Sequence, residues 1–128
     1  MNISHIALRT DNIELLKDFY CRWFNAVAGE RYHNPGKNFT SYFLKFPDGD
    51  ASLEIMNMPG IISRDAGGKF KGLCHLAISL GSKKSVDEMT EKLKNAGVPV
   101  LGEPRATGDG FYESVIADPD GNLLELTV

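Results

Sequence analysis

The chain has 128 residues, with 14 Lys and Arg against 17 Asp and Glu, and a formal net charge of −3. This length allows one ordinary domain with a single core, or two very small domains fused. The 42% hydrophobic and 24% charged residues exclude collagen, coiled coil and general disorder. The sequence has no basic stripe, no apolar run of about 18 residues and no leader-like start, so we expect neither a nucleic-acid nor a membrane partner. Two cysteines, Cys21 and Cys74, form no disulfide framework and favour the cytoplasm.

The first part of the chain predicts a strand, a helix and further strands. Residues 3–8 (ISHIAL) alternate as a strand, and Asp11 with Glu14 forms a capping box that predicts a helix start. Residues 39–46 (FTSYFLKF) predict a strand that runs into a Pro-Asp-Gly turn, and a strand carrying Glu54 follows. The helix has one apolar stripe, made of Leu16, Phe19, Tyr20, Trp23 and Phe24.

The second part repeats this order after a polar, glycine-rich linker at residues 57–72. Residues 73–78 (LCHLAI) predict a strand, and Ser85 with Glu88 forms a second capping box that predicts a helix start. Residues 111–117 (FYESVIA) predict another strand, which runs into a Pro-Asp-Gly turn. A strand carrying Glu125 ends the chain. The second helix has a narrower stripe and a terminating glycine, namely Val86, Met89, Leu93, Ala96 and Gly97.

The chain therefore contains an internal duplication. His5 precedes Glu54 by 49 residues, and His75 precedes Glu125 by 50. We interpret the chain as one α+β domain, residues 1–128, with two βαβββ modules. Module one is residues 1–56 and module two is residues 73–128. A module of this size cannot bury its sheet alone, so we expect two curved sheets to face each other, within one chain or across a dimer.

Strand alternation places the repeated His and Glu on the faces turned away from the helices. Their opposite faces are apolar and suited to packing under a helix. Two imidazoles and two carboxylates in a partly apolar place are costly unless a cation compensates them. The set His5, Glu54, His75 and Glu125 therefore predicts one divalent metal ion, for which Zn, Ni, Co, Mn and Fe all remain candidates.

These motifs resemble the vicinal-oxygen-chelate superfamily over essentially the whole chain. The marks are the starts HIAL and HLAI and the ending DPDGN-LLEL. The superfamily includes glyoxalase I, fosfomycin-resistance proteins, extradiol dioxygenases, methylmalonyl-CoA epimerase and bleomycin-binding proteins. The resemblance implies two βαβββ modules that form a half-barrel or cleft around a metal. A ligand set of two His and two Glu is similar to that of bacterial glyoxalase I.

The resemblance to glyoxalase I, which is lactoylglutathione lyase, implies an isomerisation of a thiol–methylglyoxal hemithioacetal through a metal-stabilised enediolate. It implies that Glu125 is the catalytic base and that Glu54 is its counterpart. An epimerase, a thiol transferase, a dioxygenase or a small-molecule-sequestering resistance protein remain alternatives on the same scaffold. Related small members also imply a homodimer.

The resemblance further implies substrate contacts. An Arg at the spacing of Arg9 contacts the glutathione moiety in glyoxalase I, and strand parity turns Phe43 and Glu113 toward the substrate. The chain departs from glyoxalase I at Met58, where that enzyme has an Asn, with Asn57 one position early. A loop at residues 103–110 replaces the loop that carries a Lys, and Arg105 is the candidate for its charge. These departures leave the identity of the thiol, glutathione or another, open.

Three further side chains receive structural interpretations. His33 has no counterpart in the repeat and is expected in a surface loop. Cys74 is expected in the core by strand parity, and Trp23 is expected to pack within its helix stripe.

Overall fold

The computed structural model describes residues 1–63, 69 and 71–128. The chain divides into two compact units, Met1–Arg64 and Asp65–Val128. We call them unit one and unit two and describe each by itself. The linker predicted at residues 57–72 lies partly outside the described residues, and the module boundaries therefore stay a prediction.

Unit one is a five-stranded mixed sheet with one long helix. Its sheet order is β1-β5-β4-β2, with the short strand β3 also paired to β4, and β1 runs parallel to β5. The strand expected after the helix is thus split in two, and both pieces pair with the same neighbour. The elements are β1 (His5–Arg9), α1 (Ile13–Phe24), β2 (Val27–Ala28), β3 (Tyr32–Asn34), a 3₁₀ turn (Pro35–Lys37), β4 (Phe39–Lys45) and β5 (Ser52–Asn57).

Unit two follows the predicted βαβββ order. The sheet order is β6-β9-β8-β7, and β6 runs parallel to β9 while the other neighbours are antiparallel. Together with unit one, this confirms the predicted α+β fold class. The elements are β6 (His75–Ser79), α2 (Lys83–Asn95), β7 (Val100–Ala106), β8 (Tyr112–Ala117) and β9 (Leu123–Thr127).

Both helices begin at a different residue from the one the capping boxes predicted. Asn12, not Asp11, caps α1, and its side chain accepts a hydrogen bond from the backbone N–H of Leu15. Ser82 caps α2 in the same way by accepting from the N–H of Ser85, which was the predicted cap. In each case an earlier or neighbouring polar side chain satisfies the free N–H groups first. Gly97 does follow the end of α2, with a φ of 82°.

The helix stripes form the two cores, with one correction in each helix. In α1, Leu16, Phe19, Tyr20 and Phe24 are buried, whereas Trp23 is only partly covered and stacks with Arg22. In α2, Val86 and Leu93 are fully buried, but Ala96 is exposed because the helix ends at Asn95. Thr90 takes the remaining inward position, where its hydroxyl lies 2.6 Å from that of Ser114 on β8.

Two expectations about isolated residues need correction. His33 is exposed, as expected, but it lies in β3 and not in a loop, and its Nδ1 is 3.1 Å from the Thr40 hydroxyl. Cys74 precedes β6 and is exposed, because the strand begins only at His75 and the alternation does not extend back to residue 74. In the part of the chain that the structure describes, neither helix is long and apolar enough to cross a membrane.

Candidate functional site: two histidine–glutamate pairs

In unit one, the parallel pairing of β1 with β5 brings His5 close to Glu54. Ala7 is the direct partner of Glu54, so His5 lies diagonally one step away on the same face. The Nε2 of His5 is 3.8 Å from the Oε2 of Glu54. The Glu54 side chain is 14% exposed and the His5 side chain 43% exposed. The pair is therefore formed within this unit and remains accessible.

Unit two repeats the arrangement. Ala77 is the partner of Glu125 in the parallel pair of β6 and β9, and His75 again lies diagonally one step away. The Nε2 of His75 is 3.2 Å from the Oε2 of Glu125, with side-chain exposures of 40% and 22%. The duplication seen in the sequence is therefore a duplication of geometry as well.

Both pairs lie on the sheet face opposite the helix, as predicted. In unit one, Tyr42 is the register partner of Ile55, and its hydroxyl donates to Glu14 of α1 at 2.9 Å, which fixes the helix side. In unit two, Ser114 is the partner of Leu126 and contacts Thr90 of α2. Because side chains alternate along a strand, Glu54 and Glu125, one residue away, lie on the other side. We call that side of each sheet its open face.

Each pair has a separation close to that of two ligands of one metal ion. Two ligand atoms about 2.1 Å from one ion, at angles near 90–110°, are separated by roughly 3.0–3.4 Å. The separation of 3.2 Å in unit two lies in this range, and the 3.8 Å in unit one needs only a small rotamer adjustment. Imidazole nitrogen with carboxylate oxygen suits Zn, Ni, Co, Mn or Fe. Among residues 1–63, 69 and 71–128, no group of three or more His, Cys, Asp or Glu forms a complete site.

The neighbours of the two glutamates differ. On β4, Phe43 is the direct register partner of Glu54, and its ring meets the His5 ring edge-on at a centroid distance of 5.4 Å. On β8, Val115 is the direct partner of Glu125, and Glu113 is the next residue on the same face. Phe43 and Glu113 therefore share a sheet face with Glu54 and Glu125, respectively, as the strand alternation predicted.

Arg105 and Glu113 form a cross-strand ion pair. They are register partners in β7 and β8, and the Nη2 of Arg105 is 3.2 Å from the Oε1 of Glu113. The expectation of a loop at residues 103–110 was wrong in its first half, since β7 continues to Ala106. This strand is an edge strand with two register shifts, which obscures the period of two on which strand assignment depends.

Two other residues named in the sequence analysis, Arg9 and Asn57, lie at the C-terminal ends of β1 and β5. Arg9, the register partner of Met56, is exposed and shares the open face with His5. Asn57 ends β5, and its side-chain amide donates to the Thr10 carbonyl at 2.8 Å. Asn57 therefore stabilises the connection from β1 to α1.

Sequence reasoning missed Gly102. A Cβ built at this residue would lie 2.8 Å from the Nη1 of Arg105 and 3.4 Å from the Cβ of Val115. The only sequence signal is a glycine near a proline in a strand, which indicates a bulge without showing what lies above it.

The comparisons with known proteins define the class. The sequence profile of the Glyoxalase/Bleomycin resistance protein/Dioxygenase superfamily matches residues 2–126, and the chain belongs to this superfamily. This agrees with the resemblance to the vicinal-oxygen-chelate proteins.

Individual relatives are more distant. The glyoxalase family protein of Enterococcus faecalis is 27% identical, with a TM-score of 0.81 over 99% of this chain and 97% of that one. Glyoxalase I of Zea mays is 24% identical, with a TM-score of 0.77 over 98% of this chain but 43% of that one, which shows the fold alone. The uncharacterized protein YqjT of Bacillus subtilis (strain 168) is 48% identical over 58 residues. That match spans 43% of this chain and 45% of YqjT, less than half of either.

Proposed function

We propose that the protein is a metal-dependent, glyoxalase I-like lyase that isomerises a thiol–methylglyoxal hemithioacetal or a related small molecule. The observation that carries this proposal is the matched His/Glu pair on the open face of each unit, with ligand-atom separations of 3.8 and 3.2 Å. The proposed metal ligands are His5, Glu54, His75 and Glu125, and the repeated register of the two pairs supports the same role for both.

Each ligand has a proposed role. The two histidines hold the cation through Nε2 and are neutral when they do so. The bound divalent cation, which we leave as Zn, Ni, Co, Mn or Fe, supplies Lewis acidity toward the substrate oxygens. The Glu125 carboxylate takes the proton from one substrate carbon and returns it to the adjacent carbon, so the isomerisation is balanced without another reactant. Glu54 is the counterpart carboxylate.

Four more side chains are proposed as substrate contacts. Arg9 and Phe43 serve from unit one, and Arg105 and Glu113 from unit two. Their placement on the open faces supports this, because each shares a sheet face with a metal-binding pair. A guanidinium matches a carboxylate, while the Phe43 ring suits an apolar part of the substrate.

We also propose a homodimer in a reducing cytoplasm. The four ligands belong to one chain or to two paired chains. Free thiols at both Cys21 and Cys74 are consistent with a reducing compartment.

The test combines metal analysis with a thioester assay. The protein is purified without chelator, its metal content is measured, and lactoyl-thioester formation is followed by ultraviolet absorbance with methylglyoxal and several thiols. We expect about one bound divalent metal per four-ligand site and turnover with at least one thiol. The matched control is His33→Ala, which removes the remaining histidine and lies outside both pairs. Bound metal without thioester formation would indicate a different metalloenzyme of the superfamily.

A binding protein is the second candidate. The observation that favours it is the family match over residues 2–126, since the description of that family includes bleomycin resistance proteins as well as glyoxalases and dioxygenases. A protein that binds no metal after purification, and shows no activity when Ni, Co, Zn or Mn is added, would be a small-molecule-sequestering protein instead.

A further inference from the structure

The two helices are attached to their sheets by cores of different composition. Three of the five side chains that α1 buries are aromatic, and the other two are aliphatic. α2 buries three side chains, one of which ends in a hydroxyl group. Because the stabilisation from burial scales with the apolar area removed from water, α2 is attached less firmly than α1. The buried side chains are Ile13, Leu16, Phe19, Tyr20 and Phe24 in α1, and Val86, Thr90 and Leu93 in α2.

An aromatic cluster strengthens the core of unit one. The ring centroid of Tyr20 lies 5.4 Å from that of Phe19 and 6.1 Å from that of Phe24, both on α1. It lies 6.5 Å from that of Phe46, which follows β4. Aromatic pairs attract each other at centroid distances of about 4.5–7 Å. The cluster therefore joins α1 to its own sheet, whereas α2 contains no aromatic residue with which to do the same.

A pair of buried hydroxyl groups lies between α2 and β8. The Thr90 hydroxyl donates to the Val86 carbonyl at 2.6 Å, so the Ser114 hydroxyl, also 2.6 Å away, is the donor to Thr90. Thr90 and Ser114 are 2% and 0% exposed. When α2 leaves the sheet, both groups bond to water instead, so this contact opposes the opening only weakly. The bond from Thr90 to a carbonyl four residues earlier also weakens a helix slightly.

The polar contacts between α2 and its sheet outside this core lie at the surface. The Tyr112 hydroxyl of β8 donates to Asp87 at 2.7 Å, and the Nζ of Lys94 lies 2.5 Å from the Glu103 carboxylate of β7. Both contacts are exposed to solvent. Exposed pairs contribute little to stability, because water and salt screen them. α2 is therefore held chiefly by its two buried aliphatic side chains.

The strand that carries Glu125 also forms part of the surface beneath α2. α2 packs against β7, β8 and β9. Leu124 and Leu126 of β9 are fully buried on the helix side, and Glu125 between them points to the open face. β9 also pairs with β6, which carries His75. The same strand thus supports the helix on one face and the His/Glu pair on the other.

We propose that α2 is a conformational element, which opens from its sheet as one unit while unit one stays folded. Its closed form is coupled to the pair of His75 and Glu125 through β9. The coupling rests on the proposed function, since it requires a divalent cation at that pair. Because opening removes the support of β9, a cation at the pair binds the closed form more tightly and lowers the population of the open form.

Hydrogen–deuterium exchange of the full chain, measured by mass spectrometry, tests the opening. Backbone amides of α1 and α2 are compared after correction for their intrinsic exchange rates, with and without urea below the unfolding transition. We expect the α2 amides to exchange at least about tenfold faster than the α1 amides and to respond less to urea, because a local opening exposes less surface. Equal protection and an equal response to urea in both helices would overturn the proposal.

The hydroxyl pair provides variants that act on α2 alone. Thr90→Val leaves the buried Ser114 hydroxyl without its acceptor, so we expect exchange of α2 to accelerate about tenfold and that of α1 to stay unchanged. Adding Ser114→Ala removes the unpaired hydroxyl, and most of the acceleration should disappear. The matched control is Thr127→Val, the same change on the open face of β9, which should leave α2 unchanged. Equal acceleration of both helices in Thr90→Val would contradict the proposal.

Zn²⁺ alone tests the coupling. Its binding is measured by metal analysis, and exchange is compared with and without it. We expect saturating Zn²⁺ to slow exchange of α2 by at least about tenfold, with His75→Ala abolishing the effect and His33→Ala preserving it. Bound Zn²⁺ with unchanged exchange of α2 would overturn the coupling. A chain that binds no Zn²⁺ would refute the proposed metal site and the coupling with it, whereas the comparison of the two helices would still decide whether α2 opens.

Discussion

The two units carry the same His/Glu pair but surround it differently. Glu54 has the aromatic ring of Phe43 as its direct cross-strand neighbour, and the next residue of β4 on that face is Ser41. Glu125 has Val115 as its direct cross-strand neighbour, and the next residue of β8 on that face is Glu113, which pairs with Arg105. The pair has the same register in both units, but Phe43 and Ser41 flank it in unit one, whereas Val115 and the ion-paired Glu113 flank it in unit two. The two carboxylates are therefore not equivalent.

The largest test of this difference compares the two carboxylates. We expect Glu125→Gln to reduce kcat by about 10²- to 10⁴-fold, the usual contribution of a general base, while most of the metal is retained. Glu54→Gln should reduce kcat less. The measurements are kcat for the lactoyl-thioester reaction and metal content of each variant. Near-normal kcat in Glu125→Gln would show that Glu125 is not the base.

The next test asks whether the two histidines act in one site. His5→Ala and His75→Ala should each lower the affinity for a divalent metal by more than about tenfold, since even outer residues of metal sites contribute 10- to 100-fold. Competition against a fluorescent chelator measures this affinity, and His33→Ala should leave it unchanged. If only one of the two variants lost affinity, the units would not contribute equally.

A third test exchanges a flanking residue between the units. Phe43→Val places in unit one the residue that unit two has beside Glu125. We expect unchanged metal content and a KM raised a few fold, because the loss of aromatic surface removes roughly 1 kcal/mol of apolar contact. Steady-state kinetics checks this. The reciprocal exchange, Val115→Phe, would crowd Gly102 and Arg105, so a KM unaffected by either exchange would contradict the assigned contacts.

The smallest expected effect is on the pH dependence of stability, and it arises from Glu14 in α1 of unit one. Hydrogen bonds from Lys17 and then from Tyr42 lower the pKa of Glu14 below its ordinary value of 4.5. This contribution is present above about pH 4.5 and is lost as the pH falls through the lowered pKa. Because Glu14 is half exposed, we expect only about 0.5 kcal/mol. Urea denaturation at pH 6 and pH 3 should show a smaller loss for Glu14→Gln than for the native chain, and an equal loss would contradict this assignment.

Much of the fold followed from local patterns. The alternation around His5 and His75, the helix stripe ending at Phe24 and the two Pro-Asp-Gly turns are properties of short segments, and the structure has all of them. The capping residues were misplaced by one to three positions. Several polar side chains compete for the same free N–H groups at a helix start, and spacing alone does not rank them.

The sheet faces of the candidate site residues were also predictable from the sequence, but only where side chains alternated regularly along a strand. The faces of Phe43 and Glu113 came from alternation and were confirmed by register. Alternation failed at Cys74, where the strand had not yet begun, and at β7, where the pairing with β8 has two register shifts. A bulge depends on pairing with the neighbouring strand, and no pattern within β7 itself specifies it.

The sequence by itself determined the duplication, most of the element types and the choice of the four proposed ligands, because each depends on residue type and on separations along the chain. The tertiary structure alone decided that His and Glu in each unit come within 3.8 and 3.2 Å. It also decided that Arg105 folds back over Gly102 beside Glu113. Both depend on how hydrogen-bonded strands align, which is a property of pairs of strands distant in sequence and not of any one segment.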